Sequence, residues 1–135
     1  MRKLVISTLI CLLASTSFAG EPAKETKTTK SGLQYTSLVE GTGATPGATD
    51  TVSVNYRGTL LNGREFDSSY KSGRPAEFRL NNVIKCWTEG LQMMKVGGKA
   101  ELVCPSNIAY GEEGIVGSVP RFATLIFEVE LLAVK

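Results

Sequence analysis

The sequence predicts an α+β domain: an antiparallel sheet of five to six strands curled over one short helix. Three observations predict it. Apolar and polar residues alternate with period two in several short runs, most clearly over residues 51–61 and 124–134. A single stretch, residues 83–94, repeats its apolar side chains at helical spacing. Strand-like runs follow one another without the strand–helix–strand rhythm of a parallel sheet, so the lone helix must bury its apolar face on an antiparallel one.

The elements follow in order. Residues 33–39 read as a first strand, with Leu33, Tyr35 and Ser37 opposite Gln34, Thr36 and Leu38. Residues 41–47 are a loop by composition. In residues 51–61, Val52, Val54 and Tyr56 alternate with Ser53, Asn55 and Arg57, which gives one buried face. Asn62-Gly63 is a tight-turn signal, and Glu65-Phe66-Asp67 return as a short strand. After a polar loop, residues 76–80 form another strand with Phe78 and Leu80 on one side. The helix carries Val83, Ile84, Trp87, Leu91 and Met94 on one face, with Gly97-Gly98 expected to stop it. Trp87, the only tryptophan, is expected at the centre of the helix–sheet contact. Residues 99–104 alternate again and end at Pro105. Residues 108–122 form a long loop without a pattern of its own, the kind that is usually functional or mobile. In the last strand Leu125, Phe127, Val129 and Leu131 face one way, Glu128 and Glu130 the other.

The chain has 135 residues, one domain by length. Residues 1–19 read as a secretory signal peptide: Arg2-Lys3, an apolar run from Leu4 to Leu13 too short to span a membrane, and Ser17-Phe18-Ala19 as a small-x-small cleavage site. A lipoprotein reading through Cys11 lacks the small residues such a site needs. Residues 20–31 are polar, rich in Lys and Thr, and read as a flexible tail; residues 32–135 form the domain. Export to the periplasm is expected. Fifteen basic side chains less Arg2 and Lys3 equal the thirteen acidic ones, and no block of like charge argues for nucleic acid or an anionic membrane.

Histidine is absent, which excludes Ser-His and Cys-His nucleophile pairs and His-ligated metal sites. No paired carboxylates or cysteine clusters have metal-ligand spacing, so no metal or cofactor is expected. Asp67, beside Phe66, is the strongest acidic candidate; the plainer reading is a turn residue. Tyr110, at the mouth of the long loop, either offers its hydroxyl to a ligand or anchors the loop. Tyr35, Tyr56, Phe66, Phe78, Trp87 and Phe127 each read as core. Together they exceed what one helix can cover, so some should line a pocket. The residues alone thus reach an exported antiparallel domain with an aromatic pocket and no charged catalytic machinery.

The runs VSVNYRGTLLNGREFDSS (52–69), VIKCWTEGLQMMKVGGKAEL (83–102), PSNIAYGEEG (105–114) and ATLIFEVELL (123–132) resemble the FKBP family of peptidyl-prolyl cis-trans isomerases. The match spans residues 32–135 and looks most like bacterial periplasmic members, including the catalytic domain of macrophage infectivity potentiators. The resemblance implies an antiparallel half-barrel wrapped around the helix. It implies catalytic roles for Tyr56, Asp67 and Tyr110, and substrate binding by Phe66, Phe78, Val83, Ile84, Trp87, Val119 and Phe127. Trp87 would lie under the proline ring, the Ile84 N–H and the Tyr110 hydroxyl would hold substrate carbonyls, and Asp67 would face the twisting imide. Proline-containing polypeptides are the implied substrates and macrolide FKBP ligands the implied inhibitors. Members with a long dimerisation arm contrast with the short tail here, so a monomer is expected. The long loop departs from the family pattern at Val119-Pro120-Arg121-Phe122-Ala123, which leaves its substrate preference open. The competing reading is a binding module, a holdase or proline-peptide receptor without turnover.

Cys86 and Cys104 remain after signal cleavage, an even count in an oxidising compartment. Cys86 begins the helix, and Cys104 shares the strand face of Ala100 and Leu102 that should pack on it. A structural disulfide is expected if their Cα atoms lie within about 7 Å; the alternative is two buried thiols.

Overall fold

A computed structural model describes residues 25–135. The residues read as a signal peptide, Cys11 among them, and the first part of the tail lie outside the described residues. Seven strands form one sheet: β1 (Thr26–Thr28), β2 (Gln34–Val39), β3 (Thr51–Leu60), β4 (Glu65–Ser68), β5 (Ala76–Arg79), β6 (Lys99–Cys104) and β7 (Leu125–Val134). Helix α1 (Lys85–Leu91) packs on the sheet, and three 3-10 turns interrupt the connections. The strand order is β1-β2-β6-β7-β3-β4, every pair antiparallel. β5 lies against the first half of β3 and β4 against the second, on the same edge. The sheet therefore ends at β1 on one side and at β4 and β5 on the other. It is an open sheet, wrapped on the helix.

The alternation read from the sequence becomes the core. Val52, Val54 and Tyr56 of β3, Ala100, Leu102 and Cys104 of β6, and Leu125, Phe127, Val129 and Leu131 of β7 are all buried. They meet Cys86, Trp87 and Leu91 of α1 in one cluster with Leu33 and Tyr35. At the β3–β4 hairpin, Gly63 takes the positive φ (+90°) that Asn-Gly turns favour. Gly58, in β3, has a different purpose. A Cβ there would come within 2.7 Å of Phe66 Cζ and 2.8 Å of Phe127 Cε1. Hydrogen at that position lets two rings meet over the strand.

Cys86 and Cys104 are joined by a disulfide, with their Cα atoms 5.9 Å apart and both residues fully buried. It ties the first turn of α1 to the last residue of β6, one residue before Trp87.

Three expectations require correction. The sheet has seven strands, because Thr26–Thr28 of the supposed tail pairs with β2, and Thr26 Oγ1 shares a 2.6 Å hydrogen bond with Thr36 Oγ1. Threonine favours extended backbone, but this strand is exposed on both faces and leaves no apolar alternation to read. Ser31 also donates to Glu89 Oε1 at 2.5 Å, which fastens the same segment to α1. Second, the helix covers Lys85–Leu91 rather than residues 83–94, and the glycine pair does not stop it. The amides of Met93 and Met94 bond to Gly90 and Leu91 three residues back, a tightened turn that closes the helix earlier. Third, the long loop has internal order: a 3-10 turn over Ser106–Ile108 opens it, and Ile115 pairs with Val119.

Candidate active site

A cavity of about 290 Å3 opens where the helix meets the concave face of the sheet. Seven elements supply its walls. Tyr56 comes from β3, Asp67 from β4, Phe78 from β5 and Phe127 from β7; Asn82, Val83 and Ile84 come from the approach to α1, Trp87 from α1, and Tyr110 from the start of the long loop. The strand residues arrive by their inward register. Ile84 occupies the N-cap position in an extended conformation, so its N–H stands outside the intrahelical ladder. Thr88 Oγ1 donates to the Leu80 carbonyl at 2.5 Å, which pins the preceding turn to the helix.

Trp87 is the centre of the arrangement. Three rings stand edge-on to its indole, at nearly right angles: Tyr56 at 5.1 Å (89°), Phe78 at 5.4 Å (88°) and Phe127 at 5.4 Å (85°). Edge-to-face pairs of this kind each contribute about 0.5–1.5 kcal/mol beyond their burial. The indole Nε1 is buried and has no hydrogen-bond partner among the described residues. It is closed off from the cavity, so Trp87 offers a ligand its ring and not a hydrogen bond.

The polar side of the cavity is sparse. The Tyr56 hydroxyl donates to Asp67 Oδ2 at 2.6 Å, while Oδ1 accepts from the Ser68 N–H at 2.9 Å. Asp67 is itself exposed at the rim. Burial, then the bond to Asp67 and its charge, push the Tyr56 hydroxyl well above the usual tyrosine range. Burial first and the Asp67 charge second raise Tyr110 as well. Both hydroxyls are therefore neutral donors at physiological pH. Among the described residues no three acidic or cysteine side chains cluster as metal ligands.

Eight of the ten residues expected at the pocket line it. Phe66 does not; it stands behind Phe127, edge-on at 5.6 Å and 80°, across Gly58. Val119 does not either; its backbone is paired to Ile115, and the residue is buried in the hydrophobic cluster of the core. Asn82 lines the pocket and was missed. It lies just before the Val83-Ile84 pair, but as an exposed amide in a 3-10 turn it shows no pattern in the sequence.

The sequence profile of the FKBP-type peptidyl-prolyl cis-trans isomerases matches residues 43–132. The chain belongs to this family. It is 56% identical over 109 residues to an FKBP-type isomerase, FkpA, from Aeromonas hydrophila, covering 81% of this chain and 40% of that protein. It is 48% identical over 105 residues to the outer membrane protein MIP of Legionella longbeachae, covering 78% of this chain and 45% of that one. The chain thus spans less than half the length of these curated FKBP relatives. A crystal structure of a peptidyl-prolyl cis-trans isomerase from Pseudomonas syringae superposes with a TM-score of 0.78 at 44% identity, covering 92% of both chains. The antiparallel sheet on one helix is therefore the FKBP fold.

Proposed function

We propose that this domain catalyses cis/trans isomerisation of X-Pro bonds in exported polypeptides. One observation carries the reading: Trp87 walled by three perpendicular rings, with a lone tyrosine–aspartate pair at the edge. That cavity suits a proline ring seated on the indole. The X-Pro barrier is about 18–20 kcal/mol, and its two isomers differ by little. No covalent bond breaks, so neither nucleophile nor acid–base pair is required. The twisted imide has lost its resonance and part of its dipole, so an apolar cavity favours it over the planar ground state. Tighter binding of the twisted form is then the catalysis. In this reading the Tyr110 hydroxyl and the Ile84 N–H hold the flanking carbonyls. The Tyr56–Asp67 pair fixes the polar rim beside the imide. Macrolide FKBP ligands would compete for the same cavity.

Export is supported by the n-region, apolar run and cleavage site of residues 1–19, and by a relative named as an outer membrane protein. The buried disulfide is at home in an oxidising compartment. The experiment is refolding of a proline-limited protein. Acceleration by catalytic amounts is expected. Suppression of aggregation at stoichiometric amounts alone, without acceleration, would establish a holdase instead.

A further inference from the structure

The Tyr56–Asp67 pair stands on a short piece of sheet. β4 lies at the sheet's edge with β3 as its neighbour, and a bulge between Gly58 and Thr59 interrupts their pairing just before Asp67. Beyond Asp67, Ser68 sits opposite Arg57 and β4 ends. The next residue, Ser69, is 4% exposed and has turned into helical backbone (φ −72°, ψ −23°) to open the 3-10 turn Tyr70–Ser72. That turn takes its carbonyl, which accepts from the Ser72 N–H at 3.1 Å and the Ser72 hydroxyl at 2.9 Å. In a continued ladder the same carbonyl would accept the Tyr56 N–H. The side chain takes its place: Ser69 Oγ accepts from the Tyr56 N–H at 2.9 Å in a buried bond, while the Ser69 N–H donates to the Tyr56 carbonyl at 3.0 Å. One residue thus holds both main-chain groups that Tyr56 turns toward β4. A side chain without an acceptor there would leave a buried N–H unpaired, which is costly.

We propose that Ser69 is a positioning residue for the isomerase: by clamping the main chain of Tyr56 it holds the end of β4 against β3 and keeps Asp67 within reach of the Tyr56 hydroxyl. This rests on the isomerase reading above. Ser69 does not line the aromatic cavity, so it acts through the pair and not on a substrate. Asp67 lies two residues before it, and the second bond of that carboxylate goes to the Ser68 N–H, within the same short segment. A segment released from β3 carries the carboxylate with it. The Tyr56 ring stays in place, because its edge-on contacts are with Trp87 and Phe78. Removing the Ser69 hydroxyl therefore disturbs the polar rim and spares the aromatic floor, which separates turnover from binding.

The test uses Ser69→Ala and Ser69→Thr, and Tyr56→Phe with and without Ser69→Ala. In Ser69→Ala, kcat on an X-Pro peptide is expected to fall about three- to tenfold, the net share of one hydrogen bond, with KM near the wild-type value. Ser69→Thr keeps the hydroxyl and should retain most of kcat. In the Tyr56→Phe background, Ser69→Ala should cost no further kcat, because the pair is already gone; a residue that only supports the fold would cost the same in both backgrounds. NMR gives a readout that needs no turnover: the Cζ shift of isotope-labelled Tyr56 reports the bond its hydroxyl makes, and in Ser69→Ala it should move toward its value in Asp67→Ala. If Ser69→Ala does not fold, Ser69→Cys takes its place, since a thiol is similar in size and a weak acceptor. Wild-type kcat in the folded variant, a Ser69→Thr variant no better than Ser69→Ala, equal losses in both backgrounds or an unmoved Tyr56 signal would each overturn the proposal. If the wild type turns over no proline peptide, the isomerase reading fails by itself. The Tyr56 signal then decides alone whether Ser69 holds the pair.

Discussion

The Tyr56 hydroxyl donates to Asp67 across 2.6 Å and so links β3 to β4 at the rim of the aromatic cavity. The carboxylate is held from its other oxygen by the Ser68 N–H, so the pair has one geometry. Tyr56→Phe keeps the ring against Trp87 and removes the donor. A hydrogen bond to a charged acceptor contributes about 1.5–3 kcal/mol when shielded; with Asp67 exposed, the loss of stability should fall near about 1 kcal/mol. Isomerase kcat/KM should fall more steeply than stability, because the freed carboxylate swings out of position. Urea unfolding and a peptide isomerisation assay on the same variant separate the two effects; unaltered turnover would remove this pair from the mechanism.

Gly58→Ala should damage the cavity from behind. The new methyl would sit 2.7 Å from Phe66 and 2.8 Å from Phe127, closer than carbon atoms approach. Phe127 forms the wall beside Trp87, so displacing it opens the edge-to-face contact. Overpacking of this kind costs about 1–3 kcal/mol. Ligand affinity should fall along with stability, and the intrinsic fluorescence of Trp87 should shift. An unchanged emission spectrum would mean the rings yield elsewhere.

Trp87 can be tested more directly. Trp87→Phe preserves an aromatic at the centre of three rings but shortens it, so the fold should survive while macrolide affinity falls. Truncation to alanine removes a buried aromatic worth about 3–5 kcal/mol and should unfold a marginal domain. Calorimetric titration of the folded Trp87→Phe variant gives the answer; wild-type affinity would argue that the ligand does not use the indole.

The pH behaviour follows from three tyrosines. Burial raises Tyr35, Tyr56 and Tyr110 above their ordinary value of 10.0, aided by Glu40 at Tyr35 and by Asp67 at the other two. Between that value and their own higher ones, the folded state holds protons that the unfolded chain has released. Stability is then fully present below about pH 10 and falls as pH rises through the folded values. With no histidine in the chain, kcat/KM should be flat from about pH 6 to 8. A bell-shaped profile near neutrality would imply proton transfer in the isomerisation step, and a melting temperature that rises above pH 10 would contradict the tyrosine shifts.

Much of this architecture is legible in the sequence because its main strands are half-buried and alternate. β3 carries its pattern over ten residues and β7 from Leu125 to Leu131, and their pairing sets the inward Tyr56 opposite the inward Val129. The site is legible for a different reason: its rings exceed what a seven-residue helix can cover. What stays hidden has no periodic signature. Thr26–Thr28 is a strand with no buried face. Asn82 is one polar residue in a short turn. Val119, which the family resemblance placed at the pocket, is held away from it: its backbone pairs with Ile115 and the residue is buried in the core cluster.

The disulfide gives a prediction that stands apart from catalysis. Cys86 and Cys104 are 18 residues apart in sequence, with Cα atoms 5.9 Å apart, inside the span that bridging requires. Closing a loop of that length removes unfolded-state entropy worth about 3 kcal/mol. Most of the closed segment is α1, the tightened turn after it and β6, so the bridge restrains the elements that present Trp87. Both cysteines are fully buried, so reductant reaches them only through opening of the core. Reduction in native buffer should therefore be slow and become fast in urea. A Cys86→Ala/Cys104→Ala variant should fold, lose about 3 kcal/mol in urea unfolding and retain most of its activity at low temperature, because neither sulfur touches the cavity. Under the export proposed above, the protein, alkylated in denaturant without reductant, should take up no alkyl groups and take up two after reduction. Two groups added before reduction would mean that the thiols are free, and a double-alanine variant as stable as the wild type would mean that the bridge contributes nothing to the fold.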